Sequence, residues 1–265
     1  MSPTAMVKNG LILLVAVGSV VGMRHAVGAA ERNIIVFITD DESPTLGCYG
    51  DSVAVTPAVD ALAADGMVFD NAFATTASCS ASRSVILSGL HNHANGQYGH
   101  QHDFHKFASW YDVVSFSLPR ALARAGYRTA RIGKYHVAPE EVYHFETVLK
   151  GNARNAVQMA DACRGLIEAD SEQPFFLYVA TSDPHRGGGT DKTSPLDLKP
   201  DLFGNKPGRG SHHGVKEVFF DPADVPVPAF LPDTPETRSE LAQYYQACAR
   251  IDQGVARLVE ILKAA

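Results

Sequence analysis

The chain has 265 residues, 45% hydrophobic and 20% charged, an ordinary globular composition with enough apolar material to bury a sizeable core in one domain. A net charge of -6 without a basic stripe excludes the polyanion-binding surface of a nucleic-acid protein, although a few local cations could still grip a small anion. Four scattered cysteines, Cys48, Cys79, Cys163 and Cys248, exclude a disulfide framework and a zinc knuckle.

At the start, Lys8 precedes the apolar run "GLILLVAVGSVVGM", and small residues follow in "AVGAAER". This predicts a secretory signal peptide over residues 1–30, cleaved near Ala29 or Ala30, with residues 31–265 as the mature domain. The run falls short of the ~20 residues that span a bilayer, so no stable membrane anchor is expected. The expected destination is periplasmic, extracellular or lysosome-like. Export makes an unpaired thiol notable, because such a compartment tolerates one only when it is buried or modified.

Residues 33–39, "NIIVFIT", form a continuous β-branched run that stops at Asp40 and Asp41, the pattern of a strand buried on both faces of a parallel sheet. Thr56 as N-cap, Pro57 at the first position, apolar Val59, Leu62 and Ala63, and Gly66 as stop predict a helix. "MVFDNAF" reads as a strand, and "SRSVILSG" as a short helix beginning just after Cys79. Further on, "SLPRALARAG" is a helix ended by Gly126, and "YRTARIGKYH" a strand delivering Lys134 and His136. "NAVQMADACRGLIEA" is an amphipathic helix, and "PFFLYVATSDPHR" a strand whose end carries Asp183, His185 and Arg186. Residues 186–232 lack periodicity. From Thr234 and Pro235, Leu241, Tyr244, Tyr245, Cys248, Ile251, Val255, Leu258 and Leu262 recur at the spacing of one long core-facing helix. Alternating strands and helices predict an α/β fold with a mostly parallel sheet flanked by helices, whose active groups gather beyond the strands' carboxyl ends.

Asp40 and Asp41 make a hard, oxygen-rich corner suited to Ca²⁺ or Mg²⁺, or else one caps a turn and the other is solvated. Cys79 at a helix N-terminus with Arg83 one turn on is an anion-friendly place, or else a small buried cysteine. Lys134 and His136, two apart in extended chain, would point the same way and reach one ligand. The histidine-rich segment from His91 to His105 matches no helical zinc motif and suits a substrate-lining or structural loop.

The motif "CSASR" resembles the signature of the sulfatase family, Cys-x-Pro-x-Arg, whose cysteine is oxidised to formylglycine. "SCSASRSVILSGLHNHANGQYG", "IGKYHVAPEEVYHFE", "PFFLYVATSDPHR" and "FLPDTPETRSELAQYYQACARIDQGVARL" extend the resemblance from Arg32 to the end, most strongly to sulfatases acting on N-sulfoglucosamine. The resemblance implies an alkaline-phosphatase-like sulfatase fold and hydrolysis of a sulfamate or sulfate ester of a glycan. It implies that Asp40 and Asp41 bind Ca²⁺ (or Mg²⁺) and that Cys79, as formylglycine hydrate, is nucleophile and metal ligand. Arg83 would hold the hydrate, Lys134 and His136 would bind it and the sulfo group, and His185 would contact the sulfo group or assist the leaving group. Implied partners are the sulfated glycan, a formylglycine-generating or radical-type maturing enzyme, and a second copy in a homodimer.

Ala81 stands where the family motif has proline. The family also places an Asp-Asn pair of metal ligands and a further basic residue on strands beyond the long helix, so the chain is expected to be the N-terminal part of a longer enzyme. Two other functions fit the residues: a non-catalytic binder of sulfated glycan, and a phosphoester hydrolase of the same superfamily.

Overall fold

A computed structural model describes residues 32–101, 106–187, 189–190, 198–199 and 204–265. The leader, His102, His105 and much of the loop after Gly187 lie outside the described residues. In chain order the elements are β1 (Ile34–Asp40), α1 (Pro57–Asp65), α2 (Cys79–Ser88), the single turn α3 (Asn92–Asn95), α4 (Leu118–Arg124), β2 (Arg128–Gly133), β3 (Thr147–Leu149), α5 (Ala156–Ile167), β4 (Phe175–Pro184), two short strands β5 (Gly189–Thr190) and β6 (Leu198–Lys199), and α6 (Pro235–Ala264).

β1, β4, β2 and β3 form one sheet in that order, with every pairing parallel. β4 lies between β1 and β2 and is buried almost throughout. Its side chains alternate between two cores, as the two-residue period of a strand requires. Phe175, Leu177 and Val179 join Ala130, Ile132, Met159, Cys163, Leu258 and Ile261 under α5 and α6. Phe176, Tyr178 and Ala180 join Leu87, Val113, Val142, Tyr143 and Phe145 on the opposite face, beside α2. The result is a three-layer α/β fold. Among the described residues, no helix is long and apolar enough to cross a membrane.

Two glycines set close approaches. A Cβ on Gly133, whose φ is +86°, would stand 2.0 Å from the Ala180 carbonyl oxygen, so the end of β2 can meet β4 only without a side chain. A Cβ on Gly254 would stand 2.2 Å from that of Ala156, so α6 crosses close over the start of α5.

β1, at the edge of the described sheet, is covered on both faces as expected: Ile35 and Phe37 pack against one core and Ile34, Val36 and Ile38 against the other, each partly buried. Three other sequence expectations need correction. Residues 67–73 form no strand: no described strand pairs with them, and Phe73 is 90% exposed. Thr56 precedes α1 but its hydroxyl does not cap it, accepting instead from the Gly47 amide at 2.9 Å. The cap comes from α6, where the Asp252 carboxylate accepts from the amides of Ala58 and Val59 at 3.0 and 2.8 Å. A side chain 194 positions away thus satisfies two of the orphan donors of the helix. Lys134 and His136 lie past the end of β2, and His136 has φ +56°, so they are not neighbours in extended chain.

Candidate active site

The carboxyl ends of β1, β2 and β4 and the N-terminus of α2 converge, which the parallel order of the sheet makes unavoidable. A cavity of 310 Å³ opens there, lined by Asp41, Ala77, Ser78, Cys79, His100, Lys134, His136 and His185. Five of the residues singled out in the sequence, Asp41, Cys79, Lys134, His136 and His185, therefore face one space although 144 positions separate the first from the last.

At the end of β1 the register with β4 shifts between Ile38 and Asp40, and Asp41 takes the left-handed region with φ +62°. That bulge and turn aim two successive carboxylates at the same corner, in a conformation costly for a residue other than glycine. Ligand atoms of Asp40, Asp41 and Cys79 all lie within 4.8 Å of one another. His136, also left-handed, turns its ring back toward the cavity.

Asp40 and Arg83 sit behind the lining. Asp40 is 3% exposed, and its carboxylate accepts from Arg83 Nη2 at 3.1 Å and from the Lys134 ammonium. Burial raises its pKa, but the hydrogen bonds and charges of Lys134 and Arg83 outweigh that and hold it below the ordinary carboxylate range. Arg83 also donates through Nη1 to the Lys134 carbonyl at 3.0 Å and to the Tyr178 hydroxyl at 3.2 Å. The guanidinium therefore ties α2, β1, β4 and the segment just after β2 together at the floor of the site.

His185 is half exposed, with Nε2 3.7 Å from Asp41 and Nδ1 3.0 Å from the Arg186 carbonyl. Its backbone is held from beneath. Arg154 donates to the His185 carbonyl at 3.0 Å and to Asp183 at 2.7 Å, and Arg250 of α6 grips the other Asp183 oxygen at 2.8 and 3.0 Å. Asp183 is buried, so the strand-end acid closest to His185 in sequence anchors β4 to α6 and does not face the cavity.

Sequence patterns did not single out Arg154, Arg250, Tyr178 or His100. The first three are recognisable only through partners 29, 67 and 95 positions away. His100 was hidden among the histidines of its loop. Its Nε2 lies 3.1 Å from the Ser78 hydroxyl, and its ring stacks on that of His136 with centroids 5.8 Å apart. The four cysteines are free thiols; Cys163 and Cys248 are buried in cores, and burial pushes the Cys163 thiol up to about 12.

A family model described as Sulfatase matches residues 32–265. N-sulphoglucosamine sulphohydrolase of Homo sapiens is 40% identical over 243 residues, covering 89% of this chain and 48% of its own length. The ulvan-active sulfatase of Formosa agariphila is 32% identical over 158 residues, covering 58% of this chain and 30% of its own. The phosphonate monoester hydrolase of Agrobacterium radiobacter superposes with a TM-score of 0.57 at 18% identity, over 88% of this chain and 60% of that one, a likeness of fold alone. The chain thus spans about half the length of the human relative.

Proposed function

The chain belongs to the sulfatase family and has its alkaline-phosphatase-like α/β fold, and from that premise we propose an exported hydrolase of a sulfamate or sulfate ester on a glycan, N-sulfoglucosamine being the first candidate unit. The observation that carries this reading is the convergence of Cys79, Lys134, His136 and His185 with two carboxylates around one cavity. A sulfo group is a tetrahedral anion, and three nitrogen-bearing side chains around a small space suit it.

The donor set at Asp40 and Asp41 fits a hard divalent cation, Ca²⁺ or Mg²⁺, because both offer carboxylate oxygen and Asp40 is held ionised. When bound, the cation neutralises charge on the sulfo oxygens, and Cys79 converted to formylglycine supplies a hydrated-aldehyde oxygen as nucleophile. Lys134 and His136 orient the sulfo group from the β2 side. His185, half exposed on the other side of the cavity, gives a proton to the departing nitrogen or oxygen. Arg83 acts through Asp40, keeping it anionic and in place.

The protein co-produced with a sulfatase-maturing enzyme is expected to show the exchange of the Cys79 sulfur for oxygen by intact mass, and to release sulfate from N-sulfoglucosamine. Cys79→Ala should reduce release to background; release unchanged by Cys79→Ala overturns the reading. Faster turnover of a phosphate monoester than of its sulfate counterpart would replace it with a phosphoester hydrolase. One observation favours a second reading, a non-catalytic binder of sulfated glycan: among the described residues the carboxylate group comprises two acids and Cys79, against about 6–8 oxygens around Ca²⁺. Micromolar Ca²⁺ binding together with turnover would sink it.

A further inference from the structure

Two candidate cation groups meet at Cys79. One is the carboxylate corner with Asp40 and Asp41; the other joins Cys79 to His100 and His136, again with one ligand atom from each within 4.8 Å of the others. We propose that, while Cys79 remains a thiol, Cys79, His100 and His136 bind Zn²⁺, a site separate in chemistry from the hard-cation corner. The inference does not depend on sulfatase turnover.

Donor chemistry is the first ground. One sulfur and two imidazoles suit a borderline-soft ion, whereas Ca²⁺ and Mg²⁺ want oxygen. Zn–S and Zn–N bonds of about 2.3 and 2.0–2.1 Å put tetrahedral ligand atoms about 3.3–3.6 Å apart. One ligand atom from each of the three half-buried residues already lies within 4.8 Å of the others, so binding would draw them closer by side-chain rotation. Three protein ligands leave the fourth position to water, and the 310 Å³ cavity has room for it.

Support of the ligands is the second ground. The Gln101 amide donates to the Ser80 hydroxyl at 3.0 Å and the Ser78 hydroxyl meets His100 Nε2 at 3.1 Å, so the His100 loop is sewn to the first turn of α2 on both sides of Cys79. The rings of His100 and His136 stack with 25° between their planes, and both residues line the cavity beside Cys79. The three residues are thus gathered about one space before any ion arrives.

Binding exchanges the S–H bond for an S–Zn bond and releases one proton to solvent; no electron moves. Exchange of the sulfur for oxygen would remove the softest donor and leave the carboxylate corner favoured. The chemical state of one side chain would therefore decide which cation the site takes.

The test uses the chain produced without a maturing enzyme, Cys79 unconverted, titrated with Co²⁺ and then with Zn²⁺. The expected result is a thiolate-to-Co²⁺ charge-transfer band, displaced by Zn²⁺ at one equivalent and not by excess Ca²⁺. Cys79→Ser should abolish the band, and His100→Gln should weaken Zn²⁺ binding by at least about tenfold, equivalent to 1.4 kcal/mol. An unchanged circular dichroism melt would show that His100→Gln still folds. Zn²⁺ should also protect Cys79 from alkylation, read by peptide mass, a measurement that needs no variant. No charge-transfer band, unchanged affinity in His100→Gln, or loss of binding in Asp41→Asn with His100→Gln unaffected would each overturn the proposal. None of these readouts uses sulfate release, so failure here is distinct from failure of the sulfatase assignment.

Discussion

Asp40 and Asp252 are equally hidden, each 3% exposed, yet their carboxyls are pushed in opposite directions. Burial alone would raise both. At Asp40 the full charges of Lys134 and Arg83 overcome that cost, and its pKa falls. Asp252 receives backbone amides of Ala58 and Val59 at the start of α1; burial dominates, Asp60 adds repulsion, and its pKa rises. Partial charges at a helix N-terminus hold the Asp252 carboxylate in position without lowering its pKa, whereas two formal cations lower that of the equally buried Asp40. The first arrangement serves packing. The second suits an acid that must present negative oxygen to a cation or a reacting anion.

Removing Arg83 is the severest way to break this contrast. Arg83→Met leaves Asp40 with Lys134 alone and deprives the Lys134 carbonyl and the Tyr178 hydroxyl of their donor. A broken buried pair costs about 3–5 kcal/mol, measurable by urea unfolding. Adding Asp40→Asn to Arg83→Met should recover part of that loss, because no uncompensated buried charge then remains. A cost below about 1 kcal/mol for the single variant would mean that Lys134 suffices and that the two-cation account is wrong.

Lys134→Met sharpens the comparison at a smaller scale. The ammonium side chain is 18% exposed, so part of its charge is already met by water, and Asp40 keeps Arg83. The expected loss is about 1–2 kcal/mol in the same assay. Sulfate release should fall much further, since Lys134 lines the cavity. Equal losses of stability in the Lys134 and Arg83 variants would remove the distinction between floor and lining.

What sequence could and could not disclose follows from the range of the interactions. The Asp40–Asp41 corner, Cys79 at the head of α2, the strand leading to Lys134 and the long α6 were legible because local periodicity and caps encode them. Arg83 was legible as a partner for the site, but not as the floor beneath it, because Tyr178 and Asp40 reach it only in three dimensions. The expected strand at residues 67–73 shows the same limit from the other side. Alternating Met67, Phe69 and Phe73 state a propensity, and propensity names no partner; among the described residues none pairs with them. Thr56 matched the pattern of a capping residue, while Asp252, on another helix, makes the cap. Lys134 and His136 were expected to converge through a strand, yet a left-handed turn at His136 brings them to the same cavity.

The gentlest perturbation is Asp252→Asn, and its pH dependence tests the sign of the contrast. The amide oxygen can still accept from an α1 amide, so the cap is weakened by about 0.3–1 kcal/mol of charge–dipole attraction and relieved of the burial penalty on a carboxylate. Near neutral pH the two effects oppose, and the variant should match the wild type closely. Because the folded-state pKa of Asp252 is raised, the folded protein holds its proton over a window where the unfolded chain has already lost it. That window runs from about 3.9 in the unfolded chain up to the raised value. Through it, wild-type stability falls as pH rises, and acidification should therefore favour the wild type over the non-titrating Asn variant. Unfolding midpoints of the two proteins at a series of pH values isolate this group, because every other titration is shared. If the wild type instead lost ground to Asp252→Asn on acidification, the α1 amides would be stabilising the anion more than burial opposes it, and Asp252 would belong with Asp40.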